Sequence, residues 1–274
     1  MPHSLTRSQA ERYQSDGFVA PVSVLSESEV QLYRSELEAY EASIGHPLAF
    51  PAKTKPYLLF EWADAMVHND KLLDAVEDLI GTDILVYHTT LWTKEPGAET
   101  FVIWHQDDAY FHLDPPEQVT AWVALSEASE LTGCMRMIPG SHTEGYVDHG
   151  DNPHERNIIR RGLGIHGRYG PGDGVSVPLH AGQASLHHTH TAHASSPNRG
   201  DDRRIGLGIS YVPAYARPTT EPRSSALLVR GVDRHGNFHK EARLDPDMDM
   251  AERSKLHARA NSLYLAAARI PEGS

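Results

Sequence analysis

The N-terminal part of the chain carries apolar positions at the spacing of α-helices. Thr6–Gln9 and Ser26–Glu29 both fit a capping box, in which the first and last side chains each accept a hydrogen bond from the other's backbone N–H. Helices are therefore predicted to begin at both places, and the first should end near Asp16-Gly17. One apolar stripe of the second helix is predicted to pack against the rest of the fold. Its members are Val30, Tyr33, Leu37 and Tyr40.

A further helix is predicted from Asn69 or Asp70 to Ile80. Gly81 follows it directly and is expected to adopt the left-handed conformation that often ends a helix. The apolar residues at helical spacing should face inward. They are Leu72, Leu73, Val76 and Leu79.

From Ile84 onward the pattern changes to short extended segments separated by Gly, Pro and Asp, which are typical of turns. The predicted strands are Ile84–His88, Leu91–Thr93, Val119–Leu125, Cys134–Ile138, Val175–Leu179, Ala184–His188 and Ile205–Val212. Many short strands joined by turns predict a β-sandwich or barrel.

One of these segments has two different faces. The odd-numbered residues from Val119 to Leu125 point to one side of the strand, while Thr120 and Trp122 point to the other. A strand with apolar residues on both faces is covered on both sides. Trp122 is therefore predicted to line the interior of the barrel.

Composition allows one sizeable core and excludes some partners. The chain has 274 residues, 39% of them hydrophobic, and residues 1–274 are interpreted as a single domain. The formal charge of −12 argues against nucleic acid and anionic membranes, because both require a basic surface. A small-molecule partner is compatible with this charge, and the oligomeric state stays open.

No segment approaches the length of a membrane span, and the N-terminus lacks the apolar stretch of a secretory signal. A cytoplasmic location is predicted. The single cysteine, Cys134, cannot form an internal disulfide and is interpreted as a small buried hydrophobic residue.

The main chemical signal is a His-x-Asp pair, His105 and Asp107. In an extended segment these side chains share a face and could bind one cation, whereas Asp108 would point away. Two imidazoles and one carboxylate on one face of a metal form the arrangement of non-haem Fe(II) oxygenases. The downstream candidates for the second imidazole are His187, His188, His190 and His193. Spacing alone does not choose among them, and such a cluster could bind zinc by itself.

A wider pattern surrounds these residues. It comprises Trp104–Asp107, Val119–Leu125, Gly133–His142, His193–Asn198 and Arg203–Leu207. In this order the segments resemble the phytanoyl-CoA dioxygenase family of iron- and 2-oxoglutarate-dependent oxygenases, from about Leu5 to about Val212. The resemblance implies a mainly β fold, a double-stranded β-helix (jelly roll, cupin-like) with flanking N-terminal and C-terminal α-helices.

The resemblance also implies a ligand set and a co-substrate site. Iron would be bound by His105, Asp107 and the distal histidine, which the residues that follow it identify as His193. An arginine eleven residues later, Arg204, would pair with the far carboxylate of 2-oxoglutarate through its planar guanidinium. Three further residues are implied beside 2-oxoglutarate: Gln106, Trp122 and Ser195.

These cofactors imply a dioxygenase that uses Fe(II), 2-oxoglutarate and O2, with ascorbate as reductant in vitro, and releases succinate and CO2. Asp107 is present where halogenating members of the family have a small residue, so hydroxylation of an unactivated C–H bond is favoured. Desaturation, epoxidation and cyclisation need the same cofactors. A redox-inactive cupin-like protein, such as a zinc hydrolase, isomerase or sensor, is the alternative of another class. Ser195 and Arg204 argue against it, because a zinc hydrolase needs no dicarboxylate anchor.

The substrate is expected to be an amino-acid-like metabolite or a secondary-metabolite intermediate. An acyl-CoA would require a basic groove for its phosphates, which the acidic charge balance disfavours. Tyr110, Phe111 and His112 closely follow the metal motif and are predicted to line the mouth of the pocket.

The long polar segment 141–173 is predicted to be a loop that acts as a lid or a substrate-recognition element. Within it, Arg160, Arg161 and Arg168 could hold a carboxylate or phosphate of the substrate. A helical tail is predicted over about 245–274.

Overall fold

The computed structural model describes residues 4–151, 154–159 and 162–268. The α-helices in these ranges are α1 (Arg7–Asp16), α2 (Glu27–Ile44), α3 (Glu61–Val67), α4 (Asp70–Ile80), α5 (Asp108–Phe111) and α6 (Met250–Ala267). Short 3-10 turns occupy Pro56–Leu58 and Ser141–Glu144.

Strands make up most of the remaining regular structure. They are β1 (Phe18–Ser23), β2 (Ile84–Lys94), β3 (Val102–His105), β4 (Leu113–Asp114), β5 (Val119–Ala124), β6 (Met135–Met137), β7 (Gly150–Asp151), β8 (Leu163–Gly164), β9 (Val175–Val177), β10 (Gln183–His188), β11 (His193–Ser195), β12 (Arg204–Pro213), β13 (Arg217–Pro218), β14 (Ser225–Arg230) and β15 (His239–Lys240).

Two sheets form the body of the fold. The larger has the strand order β1-β10-β5-β12-β2-β14-β15, and the smaller has the order β3-β11-β6-β9. Apolar side chains from both sheets meet in one buried cluster, which includes Phe18, Trp122, Met135, Cys134 and Val177. The strands of each sheet are antiparallel apart from the β14–β15 pair. The double-stranded β-helix with flanking helices is thus confirmed.

Helices α1 to α4 pack on one face of the larger sheet. Both predicted capping boxes are present, at Thr6 and Ser26, and Gly17 ends α1 with φ 82°. In α2 the predicted stripe faces this core: Tyr33 and Leu37 are buried in it, together with Val119 and other odd-numbered residues of β5. The capping signals therefore set where these helices begin.

Other boundaries differ from the predictions. Gly81 has φ 86° but ψ −175°, so it ends α4 without the left-handed helical conformation that was predicted. The segments predicted as two strands from Ile84 to Thr93 form one strand, β2, because β12 pairs with it over its whole length. Strand β1 was missed: it contains Pro21, which is tolerated because β1 lies at the edge of the sheet. Helix α3 and strands β3 and β14 were missed as well.

The segment 141–173 contains regular structure, namely the 3-10 turn and the pairing of β7 with β8. Further along, α6 lies within the range predicted for the helical tail. No helix among the described residues is both long enough and apolar enough to cross a lipid bilayer.

A buried ion pair ties the C-terminal part of the chain to the barrel. The ammonium of Lys55 donates to Glu241 Oε1 at 2.5 Å, and both side chains are buried. The same carboxylate accepts hydrogen bonds from Tyr57 and Ser225, each at 2.6 Å. Nearby, α6 is fixed by a 2.7 Å hydrogen bond between His257 Nε2 and the backbone of residue 54. This network holds α6 in a fixed position.

Removal of one member of this pair should destabilise the fold. Glu241→Gln leaves the ammonium of Lys55 buried without a counter-charge, and we expect a loss of about 3–5 kcal/mol in the free energy of unfolding, measured by urea denaturation. The double variant Lys55→Met/Glu241→Gln should lose less, because no uncompensated charge remains. A loss below about 1 kcal/mol for Glu241→Gln would show that the pair does not anchor this region.

Candidate metal centre and co-substrate cavity

Strand pairing brings two distant histidines together. His105 ends β3 and His193 begins β11, and the two are direct partners across the antiparallel ladder. Their Nε2 atoms each lie 3.7 Å from Oδ1 of Asp107. These three residues form a group whose potential ligand atoms all lie within 4.8 Å of one another. The three residues implied as iron ligands therefore converge.

The route by which Asp107 reaches the site differs from the prediction. It was expected to share an extended face with His105, but its backbone is helical, with φ −62° and ψ −33°, and leads directly into α5. A turn, and not strand alternation, brings its carboxylate beside the imidazoles. Asp108 does point elsewhere, and its carboxylate lies 3.0 Å from Nε2 of His190.

The two imidazoles are oriented by the backbone. Nδ1 of His105 lies 2.9 Å from the carbonyl of Ile103, and Nδ1 of His193 lies 2.9 Å from that of Thr191. A carbonyl can only accept, so each Nδ1 carries the proton and each Nε2 has a free lone pair. Such backbone contacts fix the tautomer and ring orientation that metal binding requires.

The carboxylate of Asp107 is oriented as well. Its Oδ2 accepts a hydrogen bond from Thr120 at 2.5 Å and lies 3.4 Å from Nε2 of His187. Burial opposes its ionisation, but the contacts with His187 and with the other imidazoles hold the pKa of Asp107 below its usual range. Burial lowers the pKa values of His105 and His193. Neutral imidazoles and an ionised carboxylate are the states in which a divalent metal is bound.

His187, one of the four histidines considered as the distal ligand, lies beside Asp107 but outside the ligand group. It is 1% exposed, and neither ring nitrogen has a hydrogen-bond partner in the described structure. It pairs with Thr120 across β10 and β5, so both point between the sheets. The sequence shows that Thr120 and Trp122 share one face of their strand. It does not show that His187 lies beside Thr120, because that depends on the register between β10 and β5.

Arg204 is a buried cation for which the described residues supply no acidic partner. Its side chain is 1% exposed, Nη1 donates to the carbonyl of Gly133 at 2.9 Å, and Nε has no hydrogen-bond partner within the described ranges. Burial lowers the pKa of Arg204 to about 10, so it is still charged at neutral pH. Its guanidinium lies 5.2 Å from the ring of Trp122. A buried charge of this kind is unfavourable unless a ligand neutralises it.

Arg203 has the opposite environment, although it is the adjacent residue. It donates to Glu41 at 2.6 Å and to Glu95 at 2.8 Å near the surface. Adjacent residues at the start of β12 point to opposite sides of the strand. Arg203 therefore reaches the carboxylates of Glu41 and Glu95, whereas Arg204 has no carboxylate partner among the residues described.

A second buried basic side chain lies beside Arg204. Lys94 is its direct partner across β2 and β12, and its side-chain nitrogen donates to Ser195 Oγ at 2.7 Å and to the carbonyl of Ser196 at 2.5 Å. Burial and the charge of Arg204 lower the pKa of Lys94 to about 6, so its neutral form predominates at neutral pH. Because Ser195 Oγ accepts from Lys94, its own hydrogen is available to an acceptor in the cavity. No sequence pattern identified Lys94, since its role depends on strand register.

A cavity of about 60 Å³ connects the metal-binding atoms with Arg204. It is lined by His105, Asp107, Thr120, Trp122, His187, His193, Ser195 and Arg204, among others. A molecule in this cavity would therefore contact the metal site and the guanidinium together. We call it the co-substrate cavity.

Gln106 does not line this cavity. Its amide nitrogen donates to the carbonyls of Gly145 and His190, and its amide oxygen accepts from the backbone N–H of Val147. All three contacts are to backbone groups, and the side chain is completely buried. In this structure the amide attaches the segment that begins at residue 141 to the metal-binding loop, and the role implied for Gln106 beside 2-oxoglutarate stays a prediction.

The predicted substrate residues separate into three groups. Tyr110 and Phe111 line a cavity next to the metal site, whereas His112 ends α5 with φ 49° and lines no cavity described for this structure. Arg168 pairs with Glu144 at the surface. Two residues lie outside the described part of the chain: Arg160 and Arg161.

Comparison with known proteins relates this chain to a family. The family model of phytanoyl-CoA dioxygenase matches residues 13–206. A probable alpha-ketoglutarate-dependent hypophosphite dioxygenase of Stutzerimonas stutzeri is 31% identical over 171 residues, which cover 60% of this chain and 57% of that protein. The chain spans about half the length of the curated relatives it matches.

Solved structures show the same fold with different activities. The apo form of ThoJ, a non-haem monooxygenase, is 35% identical with a TM-score of 0.83 over 95% of this chain and 97% of ThoJ. The epimerase SnoN, solved with Fe3+, alpha ketoglutarate and nogalamycin RO, is 25% identical with a TM-score of 0.63, over 77% and 84% of the two chains. The outcome of the reaction therefore varies among proteins of this fold.

Removal of His193 should abolish metal binding. In His193→Ala only two ligands remain, and we expect affinity for Fe(II) to fall by more than the roughly 10–100-fold that the loss of a supporting partner costs. His188→Ala is the matched control: His188 accepts a hydrogen bond from the backbone of His190 and lies outside the ligand group, so metal binding should persist. Iron stoichiometry measures both. Retention of iron by His193→Ala together with its loss from His188→Ala would refute the assignment.

Proposed function

The chain belongs to the phytanoyl-CoA dioxygenase family, and from this we propose that it is an Fe(II)- and 2-oxoglutarate-dependent dioxygenase that hydroxylates a C–H bond of a small molecule. One observation carries the proposal. Arg204 is a fully buried cation, it has no carboxylate partner among the described side chains, and it shares a cavity with the His105–Asp107–His193 group. A dicarboxylate that reaches from the metal to the guanidinium would bind the metal at one end and neutralise the charge of Arg204 at the other.

The residues present fit these cofactors. Nε2 of His105, Nε2 of His193 and the carboxylate of Asp107 would hold Fe(II), and this donor set leaves coordination positions open. Arg204 would hold the far carboxylate of 2-oxoglutarate. Iron with 2-oxoglutarate and O2 supplies the oxidising power that breaks an unactivated C–H bond, with release of succinate and CO2.

The remaining residues orient the co-substrate and exclude water. Trp122 covers the guanidinium of Arg204, and Ser195 has a hydroxyl hydrogen available because Lys94 donates to its oxygen. Thr120 holds one oxygen of Asp107, which leaves the other directed at the two imidazoles. Buried, pre-oriented donors of this kind favour one binding geometry at little entropic cost.

Two observations separate this proposal from its alternatives. Asp107 occupies the third ligand position, which supports hydroxylation over halogenation. A redox-inactive zinc protein could use the same three ligands, but it would have no need of the buried cation Arg204.

The test is turnover with different metals. Purified protein with Fe(II), ascorbate, O2 and 2-oxoglutarate should release succinate slowly without a substrate, and the Zn(II)-loaded protein should release none. Asp107→Ala should reduce succinate release to background because a ligand is lost, whereas Asp108→Ala should retain it because Asp108 contacts His190. Equal activity with zinc and iron, or full activity in Asp107→Ala, would contradict the proposal.

A further inference from the structure

A second cavity adjoins the metal site. It shares His105, Asp107 and Trp92 with the co-substrate cavity, but Arg204 and Ser195 do not line it. Its volume is about 90 Å³. We call it the inner chamber. Because it contacts the metal ligands without the dicarboxylate-binding groups, it is the place for a substrate and not for the co-substrate.

The walls of the inner chamber are largely aromatic. They come from separate parts of the chain: Phe50, Trp92 on β2, Tyr110 and Phe111 on α5, and Tyr264 on α6. Flat π-faces on several sides favour a ligand that is itself flat, because ring pairs gain energy beyond the area they bury. The walls therefore select for a ring over a branched or puckered aliphatic group.

These rings are held in place. Tyr264 stacks on His88, with ring centroids 3.8 Å apart and an angle of 19° between the planes. Phe111 meets Tyr87 edge to face at 5.3 Å. Since α6 is also fixed to the backbone of residue 54 through His257, the aromatic wall is formed before a ligand arrives.

His88 adds a further ring to the wall of the chamber. It is 5% exposed, and its Nε2 lies 3.0 Å from the hydroxyl of Thr90. Burial lowers the pKa of His88 well below its usual value, so the ring is neutral. The imidazole therefore extends the aromatic wall without adding a charge to it.

The size of the chamber limits what enters. A closed cavity of about 150 Å³ accommodates one benzene molecule in a protein core. The inner chamber is smaller but open on one side, so it has room for one ring and not for two fused rings. It opens into a groove of about 540 Å³, which we call the outer groove; Phe50, Lys53, Trp92 and Ile158 line both. A larger molecule can therefore place one end in the chamber and the rest in the groove.

We propose that the substrate inserts a single planar ring into the inner chamber beside the metal ligands, with the remainder of the molecule in the outer groove. This inference rests on the proposed function and narrows its substrate to molecules that end in an aromatic or heteroaromatic ring.

Two fluorinated probes test the shape of the chamber. Protein loaded with Zn(II) and 2-oxoglutarate, which fill the neighbouring site without turnover, is titrated with fluorobenzene and fluorocyclohexane, and binding is measured by fluorine NMR. Fluorobenzene should bind about 3- to 10-fold more tightly than fluorocyclohexane, which has the same number of carbons but is not planar.

Variants of residues in the chamber wall test whether fluorobenzene binds in the inner chamber. Tyr264→Leu keeps apolar bulk but removes one ring, so it should weaken fluorobenzene binding by about 3- to 10-fold. Tyr215→Leu is the matched control, since Tyr215 is exposed and contacts Glu117 away from the chamber. If Tyr264→Leu does not fold, Phe111→Leu provides the same test. The affinity of each variant for 2-oxoglutarate, measured by calorimetry, shows whether that variant is folded.

The inference is overturned if fluorocyclohexane binds as tightly as fluorobenzene, or if the variants on the chamber wall bind fluorobenzene as the unsubstituted protein does. Failure of the proposed function has a different signature. In that case the protein shows no 2-oxoglutarate binding and no iron-dependent succinate release, whatever the probes do.

Discussion

The pairing of β11 with β3 is the constraint on which the site depends. It places His193 directly opposite His105, although the two are far apart in sequence, and the backbone carbonyls of Ile103 and Thr191 then fix both rings. A slip of one residue in this ladder would turn His193 to the other face of the sheet and leave Asp107 with one imidazole. The other neighbour of β11 supports this register, because β11 also pairs with β6, where His193 lies opposite Met137.

In the protein without its ligands, the basic groups around the co-substrate cavity are in an electrostatically unfavourable environment. Arg204 and Lys94 are cross-strand neighbours, both are buried, and neither has a carboxylate partner in the part of the chain that the structure describes. The buried pair of Lys55 and Glu241 shows the contrast, because there a carboxylate neutralises the ammonium. Functional sites commonly violate the rules that the rest of a fold obeys, and the ligand then supplies the missing charge.

Sequence reasoning found the fold class and much of the cavity because these depend on local signals: capping boxes, turn residues and the resemblance around His105 and Arg204. It failed where the answer depends on pairing between strands. His187 and Lys94 are placed by their partners on β5 and β12, which no local pattern reveals. The contacts that the amide of Gln106 makes with a distant loop were likewise not visible in the sequence.

The most direct test of the account is a comparison of two ligands that differ only at the far end. Binding of 2-oxoglutarate and of 2-oxopentanoate, which lacks the far carboxylate, is measured by calorimetry on Zn(II)-loaded protein and on its Arg204→Met and Arg203→Met variants. The account expects the unsubstituted protein and Arg203→Met to prefer 2-oxoglutarate by about 30-fold or more, as for a buried charge pair, and Arg204→Met to lose that preference. An undiminished preference in Arg204→Met would contradict it.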